Sequence, residues 1–564
     1  MTVQIFGLLI FLGIYVFSLD HGLLEAMLLL LLYGMCRMNL IRGQGARKLE
    51  AALSQISRRG VLPYLFLLGL TMGARLAMLP LRAFPVPYVP DEFSHQLLAG
   101  TLLAGRLTNP THPLWRHFES IHIFHVPTYS SMYLPGQALF LTAGKAILGH
   151  YWWGVWLSSG AFSCALFWML RGWFAPRWAL MGAIIAALRI GISSYWMNSY
   201  WGGFPAAIGG ALVVGAIPRL RDRPSYAAKF ALGLGIVLLA ITRPYEGAIL
   251  TVAALGYLAW IRRLGRLPLA MIVVLAGGVL LACYCKAVTG DPFKLPYTNN
   301  RELYGWPMSL AWFQPAEVPL RHKEMRDYLA WETREHLHVT DPRTFLADLP
   351  IRLCLIWRFY CGFSLSILVF LGRRVLFDPR IRPLLFLAAA TACGAALQQS
   401  WYPHYYAPAA PCLFALMLQA FRRLRTHGRS GARLGLQLSR VTLLPMPLLI
   451  CLNLFYQSKA PVAIQYSNHF SWLSTTELGD NRAKIAAEVT RFSGEHVILV
   501  RYDRDIDNSF DWVYNEPDID SAKLIWARDM GGQNQELRDY YPRRNFWLVE
   551  PDADPIRLRR WPDR

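Results

Sequence analysis

Long apolar runs recur along this chain and restrict its possible folds more than any other feature does. Runs of about 15 to 23 residues return over most of its length, and roughly 20 apolar residues can cross a hydrocarbon core about 30 Å thick. Charged residues make up 16% of the 564 residues, against about 25% in soluble domains. The pattern predicts an α-helical polytopic membrane protein with about 11 to 13 transmembrane helices.

The limits of the apolar runs give the predicted spans. An N-terminal apolar hairpin is predicted at about 3 to 18 and 22 to 38. Further spans are predicted near 61–82, 152–170, 178–196, 204–218, 230–242, 246–261, 267–288, 353–371, 383–399, 407–421 and 441–456. The apolar stretch 136–148 is short for a span, so we interpret it as a re-entrant or interfacial helix.

The connecting segments alternate in charge, which predicts the orientation of the bundle. The net charge is +21, and Arg and Lys concentrate in one set of segments: 38–59, 171–177, 219–229, 262–266, 373–382 and 422–440. Basic loops mark the cytoplasmic side of a membrane protein, so this excess does not call for a nucleic acid partner. The other set includes 83–135, 190–203 and 290–350 and is predicted to face outward.

The C-terminal tail has a different composition from the rest of the chain. Residues 457–564 contain strand-like EHVILVRY, AKLIWARD and RNFWLVE with helical stretches near 481–492 and 534–540. We predict a small soluble α/β domain there, interpreted as a lid or an acceptor-recognition module. The predicted domains are an N-terminal membrane hairpin with a basic cytoplasmic linker (1–60), a transmembrane bundle with large outward loops at 83–151 and 289–352 (61–456), and the outward α/β domain (457–564).

The first outward loop contains an acidic pair just beyond an early span. Asp91 and Glu92 follow Pro90, and the residues after them have the pattern of a helix lying along the membrane interface. Beside apolar residues at the bilayer surface, a carboxylate can have a raised pKa and act as a general base toward a hydroxyl. The alternative is structural: Asp91 caps this helix and Glu92 lies in its first turn.

Together with neighbouring motifs, this pair resembles part of a known superfamily. The Asp-Glu pair is followed by GRLTNP and then by a Pro-x-Tyr…Pro-Gly segment that opens an apolar helix. This arrangement resembles GT-C superfamily glycosyltransferases, particularly the bacterial aminoarabinose and lipopolysaccharide-core transferases and the protein O-mannosyltransferases. The resemblance extends over roughly residues 61 to 425, through WMLRGWFAPRWALMGAIIAAL and HYYAPAAPCLFALMLQAFRRLR. It implies a GT-C-like bundle, an acceptor activated by Asp91 and less surely by Glu92, and a sugar donor linked to polyprenyl phosphate.

The loop departs from that family where a lipid phosphate would be bound. Several members have a Lys before a Pro-Pro pair, whereas this chain has the segment 131–136, SMYLPG. Other cations lie near the outward ends of predicted spans: Arg189, Arg243, Arg358 and His404. We favour Arg243 and Arg358 as donor-phosphate ligands, because a guanidinium matches phosphate oxygens. Alternatively, each snorkels to the interface or pairs within the bundle, for example with Glu246.

The remaining candidates in the first outward loop are predicted to contact substrate. They are Glu119, His122, His125 and Tyr133. With two further histidines, some of these could form a metal set, but Pro127 and the surrounding aromatic residues favour an irregular loop whose imidazoles bind sugars or headgroups. No metal ligand and no cofactor is therefore predicted, although a divalent metal is not forbidden. The segment SYWMNSYWGG (194–203) is predicted first as an interfacial aromatic belt and second as a sugar-stacking surface.

These features favour an inverting glycosyltransferase of the GT-C type in the inner membrane of a bacterium. It would move a sugar from a polyprenyl-phosphate carrier to a lipid, glycan or protein acceptor on the periplasmic face. Membrane lipids are the other expected partner. Two alternatives stay open: a polymerase or ligase of lipid-linked oligosaccharides, and a transporter or flippase of lipid-linked glycans. The candidate cations at membrane depth gather on one side, which favours transfer over transport.

Overall fold

The chain folds mainly into helices joined by short connections. The structure is a computed structural model that describes residues 22–38, 44–222, 225–307, 317–371, 375, 378–400, 402–426, 432–456, 470–474, 480–503 and 511–562. The N-terminal half of the predicted hairpin, about 3 to 18, lies outside the described residues.

The helices of the N-terminal half precede the second large outward loop. They are α1 (Gly22–Arg37), α2 (Gln44–Ile56), α3 (Leu62–Ala77), α4 (Pro90–Leu103), α5 (Pro135–Leu148), α6 (Trp152–Trp173), α7 (Pro176–Ala186), α8 (Phe204–Asp222), α9 (Tyr226–Ala240), α10 (Pro244–Trp260) and α11 (Pro268–Thr289). A two-stranded antiparallel hairpin of β1 (Ile123–Phe124) and β2 (Ser130–Ser131) lies within the first outward loop.

The second half contains further helices and a small sheet. The helices are α12 (Pro296–Tyr304), α13 (Lys323–Thr340), α14 (Pro342–Tyr360), α15 (Gly362–Leu371), α16 (Arg382–Ala395), α17 (Ala410–Thr426), α18 (Ala432–Val441), α19 (Pro445–Tyr456), α20 (Asp480–Val489) and α21 (Asn534–Tyr540). The strands are β3 (His496–Val500), β4 (Leu524–Arg528), β5 (Asn545–Glu550) and β6 (Arg557–Arg560).

Several helices have the length and composition of membrane spans. Within the described residues, 4 helices are long and apolar enough to cross a membrane: Trp152–Trp173, Phe204–Asp222, Pro268–Thr289 and Gly435–Leu454. Shorter apolar helices cover Gly22–Met35, Leu62–Ala77 and Tyr226–Ala240. Each predicted span within the described residues contains a helix, whereas the number of helices that cross the bilayer stays a prediction.

Two predicted spans differ from the observed helices. The predicted span 178–196 corresponds to α7, a π-helical turn at Ala187–Gly191 and a buried irregular segment. The predicted span 353–371 is broken between α14 and α15, where Gly362 has a φ of 57°. The guanidinium of Arg189 fills the space that a Cβ at Gly362 would need, so both backbone conformation and close contact require glycine there.

The helices α5 and α6 form a tight hairpin that begins at the first outward loop. Gly144 and Gly154 lie opposite each other where the two helices cross, and their backbones touch because neither residue has a side chain. At the start of α5, the amide of Gly136 donates to the carbonyl of Ile241 at 2.8 Å, which joins this helix to the end of α9. The predicted short helix 136–148 is confirmed as a helix, and its interfacial position stays a prediction.

We expect Gly154→Ala to destabilise the α5–α6 hairpin. The added methyl would overlap the backbone at Phe140 and Leu141, which cannot move as a flexible side chain can. Overpacking of this kind costs about 1–3 kcal/mol, so the thermal midpoint in detergent should fall by several degrees. Gly256→Ala in α10 is the matched control, because nothing lies within 4 Å of its added methyl. Equal midpoints for the two variants would contradict the close crossing.

The C-terminal residues form a four-stranded sheet with the order β4–β3–β5–β6. β3 pairs in parallel with β4 and β5, and β6 adds an antiparallel edge to β5. The three predicted strands and both predicted helical stretches are confirmed. β6 was not predicted, because RLRR is short and basic and lacks the apolar alternation of a half-buried strand.

This sheet packs directly against the first outward loop. Phe93 of α4 stacks on Tyr514 with ring centroids 4.4 Å apart, and both belong to an apolar cluster that includes side chains of β3, β4 and β5. The hydroxyl of Tyr129 donates to the carbonyl of Asn515 at 3.1 Å. The C-terminal domain therefore shares a core with the loop that carries the acidic pair, while its role as a lid stays a prediction.

A buried ion pair ties the sheet to both large outward loops. Arg528 at the end of β4 is 2% exposed and is paired with Asp511 at 2.5 Å. It also donates to the carbonyl of Glu119 in the first loop at 2.9 Å and lies 3.6 Å from Glu324 in α13. One guanidinium therefore connects three separate parts of the chain.

We expect Arg528→Met to loosen this three-way contact. Removing one partner of a buried ion pair leaves an uncompensated charge, here on Asp511, at a cost of about 3–5 kcal/mol. Hydrogen–deuterium exchange should rise in β4 and in the facing part of the first loop. Arg557→Met is the control, because the side chain of Arg557 is exposed and its partner Glu550 keeps Arg501 and Arg559 nearby. Unchanged exchange in the Arg528 variant would show that apolar packing alone holds the domain.

Candidate active site

A cavity lies where the first outward loop meets the helix bundle. Its empty volume is about 310 Å³, and it opens to solvent. Its described lining residues come from five parts of the chain and are His95, Tyr133, Gln137, Trp201, Gly202, Pro205, Ala206, Thr242, Arg243 and Tyr297. The lining combines aromatic rings with a few polar groups, as small-molecule sites usually do.

Asp91 lies at the start of α4, beside this cavity. Pro90 opens the helix with its fixed φ, so Asp91 falls in the first turn, where the helix dipole favours an anion. The carboxylate accepts a hydrogen bond from the hydroxyl of Tyr133, a cavity residue, and lies 3.5 Å from Nδ1 of His122. Asp91, His122 and Tyr133 were predicted separately, and the structure brings all three together.

The carboxyl group of Asp91 is held in its ionised form. Burial raises its pKa, but the charge and hydrogen bond of His122 and the hydrogen bond from Tyr133 outweigh that effect, and the pKa lies below its ordinary value. The expectation of a raised pKa for this group is therefore wrong. The sequence places Asp91 beside apolar residues but does not reveal the imidazole and the phenol that the fold brings to it.

Glu92 points away from the cavity and ties two segments together. It is fully buried and accepts hydrogen bonds from the amides of Tyr88 and Tyr200, both at 2.9 Å. A third amide, that of Val89, lies 3.4 Å away. Burial raises the pKa of Glu92 to about 8, against the effect of its amide bonds. These contacts join the start of α4 to the segment before α8, and the predicted catalytic role of Glu92 stays a prediction.

His122 has a strained backbone that its neighbours hold in place. Its φ is 63°, in the left-handed region, where a non-glycine residue costs roughly 1–2 kcal/mol. The carbonyl of His122 accepts bonds from the Ser94 hydroxyl at 2.7 Å and the Met132 amide at 3.1 Å. Strain of this kind is concentrated at functional sites. It turns the imidazole toward Asp91 on one side and toward Tyr328 of α13, 2.8 Å away, on the other.

Arg243 supplies positive charge to the cavity. It immediately precedes α10, where Pro244 starts the helix, and its guanidinium lies over the ring of Tyr405 at 4.3 Å. Among the described residues no carboxylate comes within ion-pair distance of it, although Glu246 lies one turn further along. Arg243 and Glu246 therefore form no close ion pair, although their charges interact, and Arg243 lines the cavity. Its role as an anion ligand stays a prediction.

The other three predicted phosphate ligands do not line the cavity. Arg189 is 1% exposed, donates to the carbonyls of Phe359 and Arg358, and lies 3.7 Å from Glu25 of α1. Arg358 is buried at the end of α14. The fourth candidate, His404, is fully buried, and its Nδ1 is 2.9 Å from the hydroxyl of Tyr195. Arg189 therefore binds groups inside the bundle, as the alternative interpretation of the sequence allowed.

Glu119 and His125 lie on the side of the loop that faces the C-terminal domain and α13. Glu119 is 3.1 Å from His322, and His125 stacks on Tyr129 with ring centroids 4.7 Å apart. Burial lowers the pKa of His125 to about 4. In the described ranges no three His, Cys, Asp or Glu side chains form a group that could hold a metal ion. The predicted lack of a metal or cofactor stays a prediction.

Sequence reasoning missed several lining residues. His95 stacks on Tyr133 with ring centroids 4.3 Å apart, and burial lowers its pKa to about 3. Its spacing of four residues from Asp91 puts both on one face of α4, which is a signal that could have identified it. Gln137 and Tyr297 had no such signal, because they reach the cavity from other helices. Trp201 belongs to the aromatic segment 194–203, whose second interpretation was a sugar-stacking surface.

The fold and this site define a helical membrane protein with a cavity lined by a guanidinium, and a carboxylate lies beside that cavity. No protein-family model matches the chain, and no curated protein is similar to it at a significant level.

Solved structures similar to this one include two kinds of membrane transferase. ArnT from Cupriavidus metallidurans bound to undecaprenyl phosphate is 14% identical, with 87% of this chain and 93% of that chain covered and a TM-score of 0.48. The oligosaccharyltransferase AglB from Archaeoglobus fulgidus, in complex with an inhibitory peptide and a dolichol-phosphate, is 12% identical, with 86% and 69% covered and a TM-score of 0.45. Both neighbours belong to the GT-C superfamily, which the first outward loop resembles. Because these TM-scores lie below 0.5, the likeness alone assigns no reaction to this chain.

Proposed function

We propose that this protein is a membrane glycosyltransferase that moves a sugar from a polyprenyl-phosphate carrier to an acceptor on the periplasmic face of the inner membrane. The observation that carries the proposal is a cavity lined by Arg243 and by Tyr133, whose hydroxyl donates to Asp91 beside the cavity. Asp91 is an ionised carboxylate that can hold an acceptor hydroxyl or amine, and Arg243 is a cation that can hold a phosphate. The cavity is lined by aromatic rings suited to a sugar face.

The proposed reaction is a single direct displacement. The acceptor oxygen or nitrogen forms a bond to the anomeric carbon on the face opposite the phosphate. The bond from that carbon to the phosphate oxygen breaks, and its electron pair stays on the phosphate, which Arg243 stabilises. The acceptor's proton goes to Asp91, so the products are an inverted glycoside and the polyprenyl phosphate.

The low pKa of Asp91 determines when the proton moves. A weakly basic carboxylate orients the acceptor by a hydrogen bond and takes its proton late, once the forming bond to the anomeric carbon has made that proton acidic. Tyr133 donates to the same carboxylate and keeps it directed along the cavity wall. The group therefore acts first by position and only then as a base.

The sidedness of the proposal follows from charge. The segments that join the spans on the opposite side are basic, and the positive-inside rule therefore supports an orientation with α4, the cavity and the C-terminal sheet outside the cytoplasm. A carrier lipid can bring a sugar there without a nucleotide. In Lys523→Cys, an exposed position next to β4, the introduced thiol should be labelled by a reagent added on the periplasmic side. Labelling only from the cytoplasmic side would reject this orientation.

The test is a transfer assay with purified protein in vesicles. Polyprenyl monophosphate sugars with a radiolabelled sugar should give labelled acceptor and free polyprenyl phosphate in equal amounts. The matching diphosphate-linked oligosaccharides are the second donor class, and transfer from them alone would favour the polymerase or ligase alternative. Movement of a labelled lipid between leaflets without any new glycosidic bond would favour the flippase and reject the proposal.

A further inference from the structure

A chain of hydrogen bonds leads from the candidate active site into the second outward loop. Nε2 of His122 is 2.8 Å from the hydroxyl of Tyr328, and this hydroxyl donates to the carboxylate of Glu332 at 2.9 Å. The other oxygen of Glu332 lies 3.3 Å from Arg301 of α12. Because His122 also faces Asp91, two carboxylates are connected through one imidazole.

Counting protons along this chain determines the state of His122. Each phenol has one proton: Tyr133 donates its proton to Asp91, and Tyr328 donates its proton to Glu332. The oxygen of Tyr133 lies 3.2 Å from Nδ1 of His122, and the oxygen of Tyr328 lies close to Nε2. Each oxygen is then left to accept, and an imidazole that donates from both ring nitrogens satisfies every one of these bonds.

The charges around His122 agree with a positive imidazole. Asp91 and His95 face it from α4, Tyr133 from the segment before α5, Tyr328 and Glu332 from α13, and Arg301 lies behind Glu332 on α12. His95 is neutral, because burial lowers its pKa to about 3. Two buried carboxylates are then matched by two cations, which is the balance that buried charges require.

We infer that Tyr328 and Glu332 are positioning residues that keep His122 doubly protonated beside Asp91 and thereby set the alkaline limit of sugar transfer. The inference rests on the proposed function, in which Asp91 receives the acceptor's proton. When His122 loses the proton on Nδ1, this nitrogen becomes an acceptor and draws the hydroxyl of Tyr133 away from Asp91. The carboxylate then loses both its hydrogen bond and its neighbouring positive charge.

The first test is the pH profile of transfer. In Glu332→Gln the amide oxygen can still accept from Tyr328, but the negative charge that favours a protonated His122 is gone. We expect the pH above which kcat falls to move down by about one unit, with kcat at lower pH little changed. Glu335→Gln, three residues along the same helix, is the matched control and should keep the wild-type profile. Tyr328→Phe should move the alkaline limit in the same direction, because Nε2 loses its acceptor. An identical limit in Glu332→Gln and wild type would overturn the inference.

The second test does not depend on activity. Solid-state NMR of the full chain with ¹⁵N-labelled histidine should show an imidazolium signal at neutral pH that is absent from His122→Gln. In Glu332→Gln that signal should convert to the neutral form about one pH unit lower than in wild type. A neutral His122 in the wild type would overturn the inference. If the imidazolium is found but no donor is turned over, the proposed function fails and the assignment of these positioning residues to His122 stands.

Discussion

Asp91→Asn is expected to lower kcat for sugar transfer by about a thousandfold, a loss within the usual range for a general base in its place. The amide oxygen can still accept the hydrogen bond from Tyr133, so the cavity should keep its shape. The variant lacks the negative charge that orients the acceptor and the oxygen that receives its proton. Transfer from a polyprenyl-phosphate sugar in vesicles, measured under single-turnover conditions, reports this step directly.

The control for this experiment is a carboxylate outside the cavity. Asp327→Asn on α13 removes an acidic group whose partner is Lys323, near the protein surface, and should retain wild-type rates. Binding of the polyprenyl-phosphate carrier should be unchanged in Asp91→Asn, because the carboxylate does not contact the phosphate in the proposed complex. A rate within about threefold of wild type would remove Asp91 from its proposed role, since a catalytic base contributes at least about a hundredfold.

Arg243→Gln is expected to lower kcat/KM by about a hundredfold, mainly through weaker donor binding. A hydrogen bond between charged groups contributes roughly 1.5–3 kcal/mol, and each 1.4 kcal/mol is a factor of ten. Arg243 lines the cavity and forms no ion pair with a carboxylate among the described residues, although the charge of Glu246 acts on it from one turn away. Arg243→Lys should recover part of the binding, since it restores the charge without the planar donor pair.

The measurement is the affinity for polyprenyl phosphate, determined together with the transfer rate. Arg262→Gln is the matched control, because Arg262 is an exposed arginine just beyond the other end of α10. The two cavity variants should differ in kind: Asp91→Asn binds the carrier and does not transfer, whereas Arg243→Gln binds it poorly. If carrier binding is equal in Arg243→Gln and wild type, the phosphate is held elsewhere, and the proposed donor orientation is wrong.

The helices were predictable from sequence because their signal is local. A run of apolar residues longer than about 15 residues must be buried in protein or lipid, and its own hydrogen bonds make it helical. The breaks inside such runs were not predictable. Gly362 interrupts one of them with a φ of 57°, and the guanidinium of Arg189, far away in the chain, lies beside it.

Residue type and position in the sequence predicted some residues of the candidate site, but not which of them contact each other. Asp91 and Arg243 were found because an acid or a cation at the end of an apolar run is costly and therefore informative. The same reasoning also selected Glu92, Arg189 and Arg358, which the fold uses for internal contacts. Tyr328 and Glu332 were missed, because nothing in a polar amphipathic helix indicates which face will meet an imidazole more than 200 residues earlier.

The sequence by itself determined the general architecture of this protein: a bundle of apolar helices, an acidic pair at the start of the helix in its first long loop, and a small C-terminal sheet. Hydrophobicity, charge and strand pattern act over short stretches, so they can be read without knowing what lies nearby in space. Only the tertiary structure decided the chemistry of the cavity. The expected pKa of Asp91 changed direction because His122 and Tyr133, 31 and 42 residues away, are brought to its carboxylate. Electrostatic effects depend on distance in space, and the fold alone sets that distance.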